Sequence, residues 1–247
     1  MSFIEADNIC RSFGEEFSLK NISFRIDAKG IYGFLGKKGA GCSSLAKILA
    51  GASDIDGGAL LYNDSQMYAN SRQDALLKGR IGYVAEKPVF DGDATVFEVL
   101  DLVGKAKRVD PDKRFRQIKE ALEITGLTLK GEVLTDELSL SERKRLAIAA
   151  SLIGGPEVLI FDEPLRFLDA REATEIKKLI AMLKSKRVVL IFSSRPDEIE
   201  ETCGQIGIMS RGELVIWQSA DELLSTLKEN GLGGLFAALD AFSEEAK

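Results

Sequence analysis

Two short runs hold the residues best suited to chemistry. The first is Gly36-Lys37-Lys38-Gly39-Ala40-Gly41-Cys42-Ser43-Ser44. It follows an apolar run, Ile31 to Leu35, and opens a segment in which Leu45, Ile48 and Leu49 recur at helical spacing before Gly51 stops it. Glycines in such a turn let backbone wrap a phosphate, while the helix start supplies amide donors and a favourable dipole. Ser43 falls where a hydroxyl ligates Mg2+. The phosphate-loop pattern G-x-x-x-x-G-K-[ST] fails at one place, where Cys42 stands for lysine. The second run is Val158-Leu159-Ile160-Phe161-Asp162-Glu163-Pro164, an apolar strand ending in two carboxylates. A lone defective phosphate loop is a weak signal, so the elements around it must decide.

The chain has 247 residues, 45% of them hydrophobic and 29% charged, the balance of an ordinary globular protein. That length suits one large core, or a core with an inserted subdomain. A net charge of −6 argues against nucleic acid as a partner, since phosphate backbones need a basic face. No apolar run approaches the ~18 residues of a membrane span. Met1 to Asn8 is acidic and lacks the features of a signal peptide, so membrane contact is expected to run through a partner. Cys10, Cys42 and Cys203 have no paired spacing, and there is no histidine, which removes histidine bases and histidine metal ligands.

Short apolar runs alternate with segments of helical period, which predicts an α/β fold with a mainly parallel sheet. Ile31 to Leu35, Val158 to Phe161, Val188 to Phe192 and Ile206 to Met209 read as buried strands. Phe3 to Cys10 and Ile22 to Ile26 alternate instead, as an antiparallel edge does. Phe115, Ile118, Leu122 and Gly126 mark a second helix and its stop. The stretch from Lys87 to Gly155 is chiefly helical. The expected division is one domain over 1–247, with a core at about 1–86 and 156–230, a helical subdomain at about 87–155 and a tail at 231–247. The tail reads equally as an extra helix or a partner contact.

Further motifs then follow in a fixed order. Glu86 ends the strand Ile81 to Ala85, Leu138-Ser139-Leu140-Ser141-Glu142-Arg143-Lys144-Arg145 precedes the carboxylate strand, and Leu168-Asp169 and Ser193-Ser194-Arg195 come after it. From about residue 3 to 225 the chain resembles an ATP-binding-cassette (ABC) transporter ATPase subunit, which implies a P-loop NTPase core with an antiparallel β edge subdomain and an inserted helical subdomain. Ile81-Gly82-Tyr83-Val84-Ala85-Glu86-Lys87-Pro88 looks most like the antibiotic and drug-export branch, where glutamate is common at the Q-loop position that Glu86 holds. The resemblance implies ATP and Mg2+ as ligands. It places Phe13 against adenine, gives Ser43 and Asp162 to the metal, and makes Glu163 the polariser of the attacking water. Leu138 to Glu142 becomes the signature, Leu168-Asp169 the end of the D-loop, and Arg195 the occupant of the switch-histidine position. The bland reading of the two carboxylates is a cap for a nearby loop.

The departures from that family are chemical. Lysine in the loop is a point charge on the β- and γ-phosphates, and such contacts contribute ~1.5–3 kcal/mol each, so Cys42 implies about 10- to 100-fold weaker affinity. Lys37 and Lys38 either lean in or are solvated loop charges. Leu140 and Ser141 replace signature glycines, while Ser139 and Glu142 form an S-x-x-E capping box that occupies the helix amides and leaves Ser139 one hydroxyl to offer. Arg195 cannot shuttle a proton; it either restores the charge missing at Cys42 or pairs with Asp197 or Glu198.

The chain is therefore read as an ATP-binding subunit of impaired catalysis, paired as a heterodimer with an intact ATPase homologue. A membrane permease subunit would hold the pair at the cytoplasmic face of the cell membrane. In the family two such domains face head to tail, so a homodimer would lack the loop lysine and the switch histidine in both sites. The alternatives are a regulatory subunit that binds nucleotide loosely or not at all, and a working ATPase that uses Lys37, Lys38 or Arg195 as its cation. Phe90, Val96, Phe97 and Leu100 lie where relatives receive the permease, and read equally well as core.

Overall fold

Two kinds of strand pattern build two sheets, and the seam between them carries the phosphate loop. The computed structural model describes residues 4–14, 17–68, 71–229, 234–235, 237 and 239–240. Phe3, at the start of the first expected strand, and most of the tail at 231–247 lie outside the described residues. The smaller sheet is antiparallel, made of β1 (Ile4–Ser12), β2 (Ser18–Ile26), β4 (Gly57–Tyr62) and β5 (Ser65–Met67) in the order β2-β1-β4-β5. The larger holds β3 (Gly30–Gly36), β6 (Ile81–Val84), β7 (Val158–Asp162), β8 (Val188–Ser193), β9 (Gln205–Ser210) and β10 (Glu213–Ser219) in the order β10-β9-β3-β8-β7-β6. Every pair in it is parallel except β9 with β10.

The parallel strands are apolar at nearly every position because both of their faces are covered. Leu159 and Phe161 of β7, with Val189 and Ile191 of β8, face one core; Val158, Ile160, Val188, Leu190 and Phe192 face the other. The first core is completed by α3 (Val96–Ala106), α4 (Pro111–Thr125), α5 (Leu140–Leu152), α6 (Ala170–Leu183) and α8 (Ala220–Glu229). The second lies under α1 (Cys42–Leu49) and the antiparallel sheet, with α2 (Ser71–Gly79) adding Leu77. In that second core Phe34 stacks on Phe192 at 4.6 Å, and Trp217 packs against Phe24 and Phe34.

The expected α/β fold and helical middle are both present. Gly126 takes a left-handed φ of 70° as the C-cap of α4, the conformation glycine adopts most cheaply. Within the α4 stripe, Ile118 and Leu122 are buried but Phe115 is 48% exposed and sits edge-on to Phe97. Val96 and Leu100 are core, while Phe90 and Phe97 are half-buried against it.

Candidate functional site

Parallel strands that end together deliver their following loops to one crevice. Pairing of Leu35 with Ser193, Asp162 with Phe192 and Val84 with Phe161 brings level the residues that follow β3, β8, β7 and β6. A cavity of about 440 Å3 opens there, within the size range of small-ligand sites. Of the expected site residues, Gly36, Lys37, Lys38, Gly39, Gly41, Cys42, Ser43, Ser44, Glu86 and Glu163 line it; Phe17, Arg166 and Ser194 complete it.

The loop has the shape of an anion cradle. Gly39 and Gly41 take φ of 89° and 107°, and Gly41 caps α1 with no side chain on the freed amides. The Ala40 amide donates to Lys37 O at 2.9 Å, and a Cβ on Gly36 would lie 2.8 Å from Ala40 Cβ and 2.9 Å from Cys42 Sγ. Behind the loop, the tip of the β9–β10 hairpin ties three elements together. Gly212 N–H donates to Ala40 O at 2.9 Å, Lys20 N–H donates to Gly212 O at 2.8 Å, and a Cβ on Gly212 would meet Ser18 O at 1.9 Å.

The loop holds this shape with a cysteine, not a lysine, at position 42. Cys42 is half-buried among apolar side chains, and burial together with the nearby Glu163 and Asp162 charges pushes its thiol well up, so it is neutral. Lys37 pairs with Asp240 at 2.7 Å. Lys38 lines the cavity and has no hydrogen-bond or ion-pair partner among the described residues. Arg195 is exposed, does not line the cavity, and pairs with Asp197 at 2.8 Å and Glu198 at 3.3 Å.

The two carboxylates have different settings. Asp162 is 3% exposed; Ser43 Oγ donates to it at 2.9 Å and Tyr83 OH at 3.3 Å. Burial holds its carboxyl above the usual range, against the pull of those two donors. Glu163, in the left-handed region at φ 48°, accepts from Ser194 N–H at 2.9 Å through Oε1, while its buried Oε2 has no partner. A buried orphan oxygen facing a polar cavity suits a water or a ligand group. Among the described residues no three acidic or sulfur side chains could hold a metal alone. Ser43 and Asp162, already in contact, fit Mg2+ only where phosphate oxygens and waters fill the rest of its shell.

Besides Asp162 and Arg195, three further expected residues do not line the cavity. Ala40 is buried beneath the loop. Phe13 is exposed and touches the site only through Phe17, its ring 5.9 Å away. Ser139 is exposed at the head of α5, where its Oγ accepts from Glu142 N–H at 3.2 Å while Glu142 accepts from Ser139 N–H at 2.9 Å. The capping box is formed, and Lys130 pairs with Glu142 at 3.0 Å.

Two basic residues escaped the sequence reading. Arg166 lines the cavity with its guanidinium 3.1 Å from Glu86. Lys144, 2% exposed on α5, donates from Nζ to Glu163 O at 3.0 Å and Glu86 O at 3.3 Å, pinning α5 to the site.

Comparison with known proteins agrees with this geometry. The sequence profile of the ABC transporter family matches residues 19–166. The bacitracin transport ATP-binding protein BcrA of Bacillus licheniformis is 31% identical over 216 residues, covering 87% of this chain and 69% of that protein. The linearmycin resistance ATP-binding protein LnrL of Bacillus subtilis is 28% identical over 225 residues, covering 91% and 71%. A solved dimeric ATP-binding cassette in a post-hydrolysis state, bound to ADP and Pi, shares the fold with a TM-score of 0.78 at 19% identity, over 88% of this chain and 98% of that one.

Proposed function

Given that the chain belongs to the ABC transporter family as an ATP-binding subunit, we propose that it is of the antibiotic and drug-export kind, binds Mg-ATP weakly and contributes little or no hydrolysis of its own. The observation that carries this reading is Cys42, a half-buried side chain with no positive charge, in a loop whose shape is otherwise that of a phosphate cradle. Lys37 and Arg195 are engaged by Asp240 and by Asp197 with Glu198, which speaks against either as the replacement cation.

In this reading the amides of Gly39 to Ser44 hold the phosphates, and Ser43 and Asp162 hold Mg2+, which would supply charge neutralisation when bound. Glu163 keeps one oxygen free to orient a water, and the Ser194 amide fixes its other oxygen. Phe13 is the aromatic beside the base. Ser139 and its capped helix face the nucleotide of a partner ATPase, to which Glu142 makes them a poor anion site. Each site of a heterodimer then has one intact half. Among the described residues no helix is long and apolar enough to cross a membrane, in keeping with a place at its cytoplasmic face through a permease.

The test is calorimetric binding of Mg-ATP to the chain and to its Cys42→Lys variant, with phosphate release followed in parallel. Weak binding that the variant strengthens by about tenfold or more supports the reading, since a restored charge-assisted contact contributes at least ~1.4 kcal/mol. Tight binding that lysine leaves unimproved, or brisk hydrolysis by the unmodified chain alone, would overturn it.

A further inference from the structure

Among the described residues three basic side chains line the cavity, Lys37, Lys38 and Arg166, and Arg166 is the one that meets a carboxylate lining it too. We propose that Arg166 is the cation that a bound nucleotide's phosphates meet here, in place of the lysine absent at position 42. This rests on the nucleotide-binding reading above and adds a residue that the family motifs do not supply.

The backbone carries Arg166 to the site. Glu163 adopts φ 48°, the Arg166 amide donates to Glu163 O at 3.2 Å, and Phe167 adopts φ 67°, so the chain after β7 makes a tight turn before Asp169 caps α6. That turn sets Arg166 on the wall of the same cavity whose floor is the loop from Gly36 to Ser44. Its guanidinium lies over the ring of Phe167, 5.0 Å from the centroid, and Nη1 meets Glu86 Oε1 at 3.1 Å. The ring and the carboxylate hold the head group in place, so little side-chain freedom remains to be lost on binding.

The choice of Arg166 over its neighbours follows from what each cation touches. Lys37 is drawn to Asp240, and Arg195 is drawn onto α7 (Pro196–Glu200). Lys38 has no fixed partner and would have to be ordered from solvent. Of the two cavity-lining cations with a carboxylate partner, Arg166 is the one whose partner, the partly buried Glu86, lies in the cavity wall where a ligand's phosphates would replace it. A partly exposed ion pair contributes little, so a polyphosphate can displace Glu86 at small cost and take both prongs of the fork. Glu86 is then a stand-in anion that holds the arginine ready and competes weakly with the ligand.

Isothermal titration of Mg-ATP into the intact chain and its Arg166→Gln, Arg166→Lys and Glu86→Gln variants tests this, with thermal melting as a check on folding. Arg166→Gln should weaken binding about tenfold or more, Arg166→Lys by less, and Glu86→Gln should tighten it by roughly threefold. The gain from Glu86→Gln should vanish in the Arg166→Gln background, a coupling that mere loss of a negative charge from the cavity would not give. Binding by Arg166→Gln within twofold of the unmodified chain, or loss of binding in Glu86→Gln, would overturn the assignment while leaving the nucleotide site standing. If Arg166→Gln does not fold, Arg166→Met takes its place, with the same tenfold loss expected and the same twofold limit. Absence of Mg-ATP binding by the unmodified chain would overturn the nucleotide reading itself, and the role of Arg166 with it.

Discussion

Replacing Lys144 by methionine removes one buried charge and little volume. The ammonium donates to the Glu163 and Glu86 carbonyls, and it lies among Asp162, Glu163, Glu86 and Glu198. Two hydrogen bonds from a charged donor contribute ~1.5–3 kcal/mol each, and part of that is offset by the cost of keeping an ammonium 2% exposed. Methionine leaves both carbonyls without the ammonium and removes its share of the charge opposing the acidic groups, so a net loss of about 3 kcal/mol is expected at pH 7.5. Urea denaturation followed by Trp217 fluorescence reads it, because that ring packs 5.2 Å from both Phe24 and Phe34 in the core. The loss should shrink at pH 5. Asp162 and Glu198 already have carboxyls raised by burial, and without the ammonium they rise further. A group raised in the folded state contributes stability below its unfolded value and loses it as pH rises through the folded value. Acid therefore rescues the variant. A loss under about 1 kcal/mol at pH 7.5, or an equal loss at both pH values, would refute the idea that Lys144 neutralises this cluster.

Asp162→Asn should flatten the decline in stability that the unmodified chain shows as pH rises above ~4, because a carboxyl raised by burial is destabilising once ionised. At neutral pH the variant should be at least as stable in denaturant as the unmodified chain while its Mg2+-dependent gain in ATP affinity is lost. Gly212→Ala should cost about 2 kcal/mol or more, since φ is 83° and its Cβ would meet Ser18 O at 1.9 Å. A melting temperature within a degree or two of the unmodified chain would show that the hairpin moves aside freely.

Much of this fold is legible in the sequence for a simple reason. Strands covered on both faces need apolar residues at every position, so Val158 to Phe161 and Val188 to Phe192 announce themselves within a residue of their observed ends. Gly126 and the Ser139–Glu142 box are equally local signals. Burial on α5 is not local. Its sequence Ser-Glu-Arg-Lys-Arg reads as solvated, yet Lys144 is buried because α5 packs under the ends of β6 and β7, where carbonyls await a donor. Phe115 shows the opposite error, an apolar residue in helical register that the packing leaves half outside. Arg166 is hidden for a third reason. It lies between two recognisable motifs at a position where only the turn geometry, with positive φ at Glu163 and Phe167, turns a loop arginine toward the cavity.

The tie from Gly212 to Ala40 and Lys20 separates two properties that are usually judged together in such loops. The curvature of the cradle is enforced from behind by a hairpin tip that never touches the ligand, so the loop is set before anything binds. Freezing even a few residues on binding would otherwise cost about 1–2 kcal/mol each. Form and charge are thus encoded in different parts of the chain, one at the hairpin and one at position 42. A change of side chain at position 42 leaves the mould intact. Cys42→Lys would therefore change the charge of this loop and leave its shape alone.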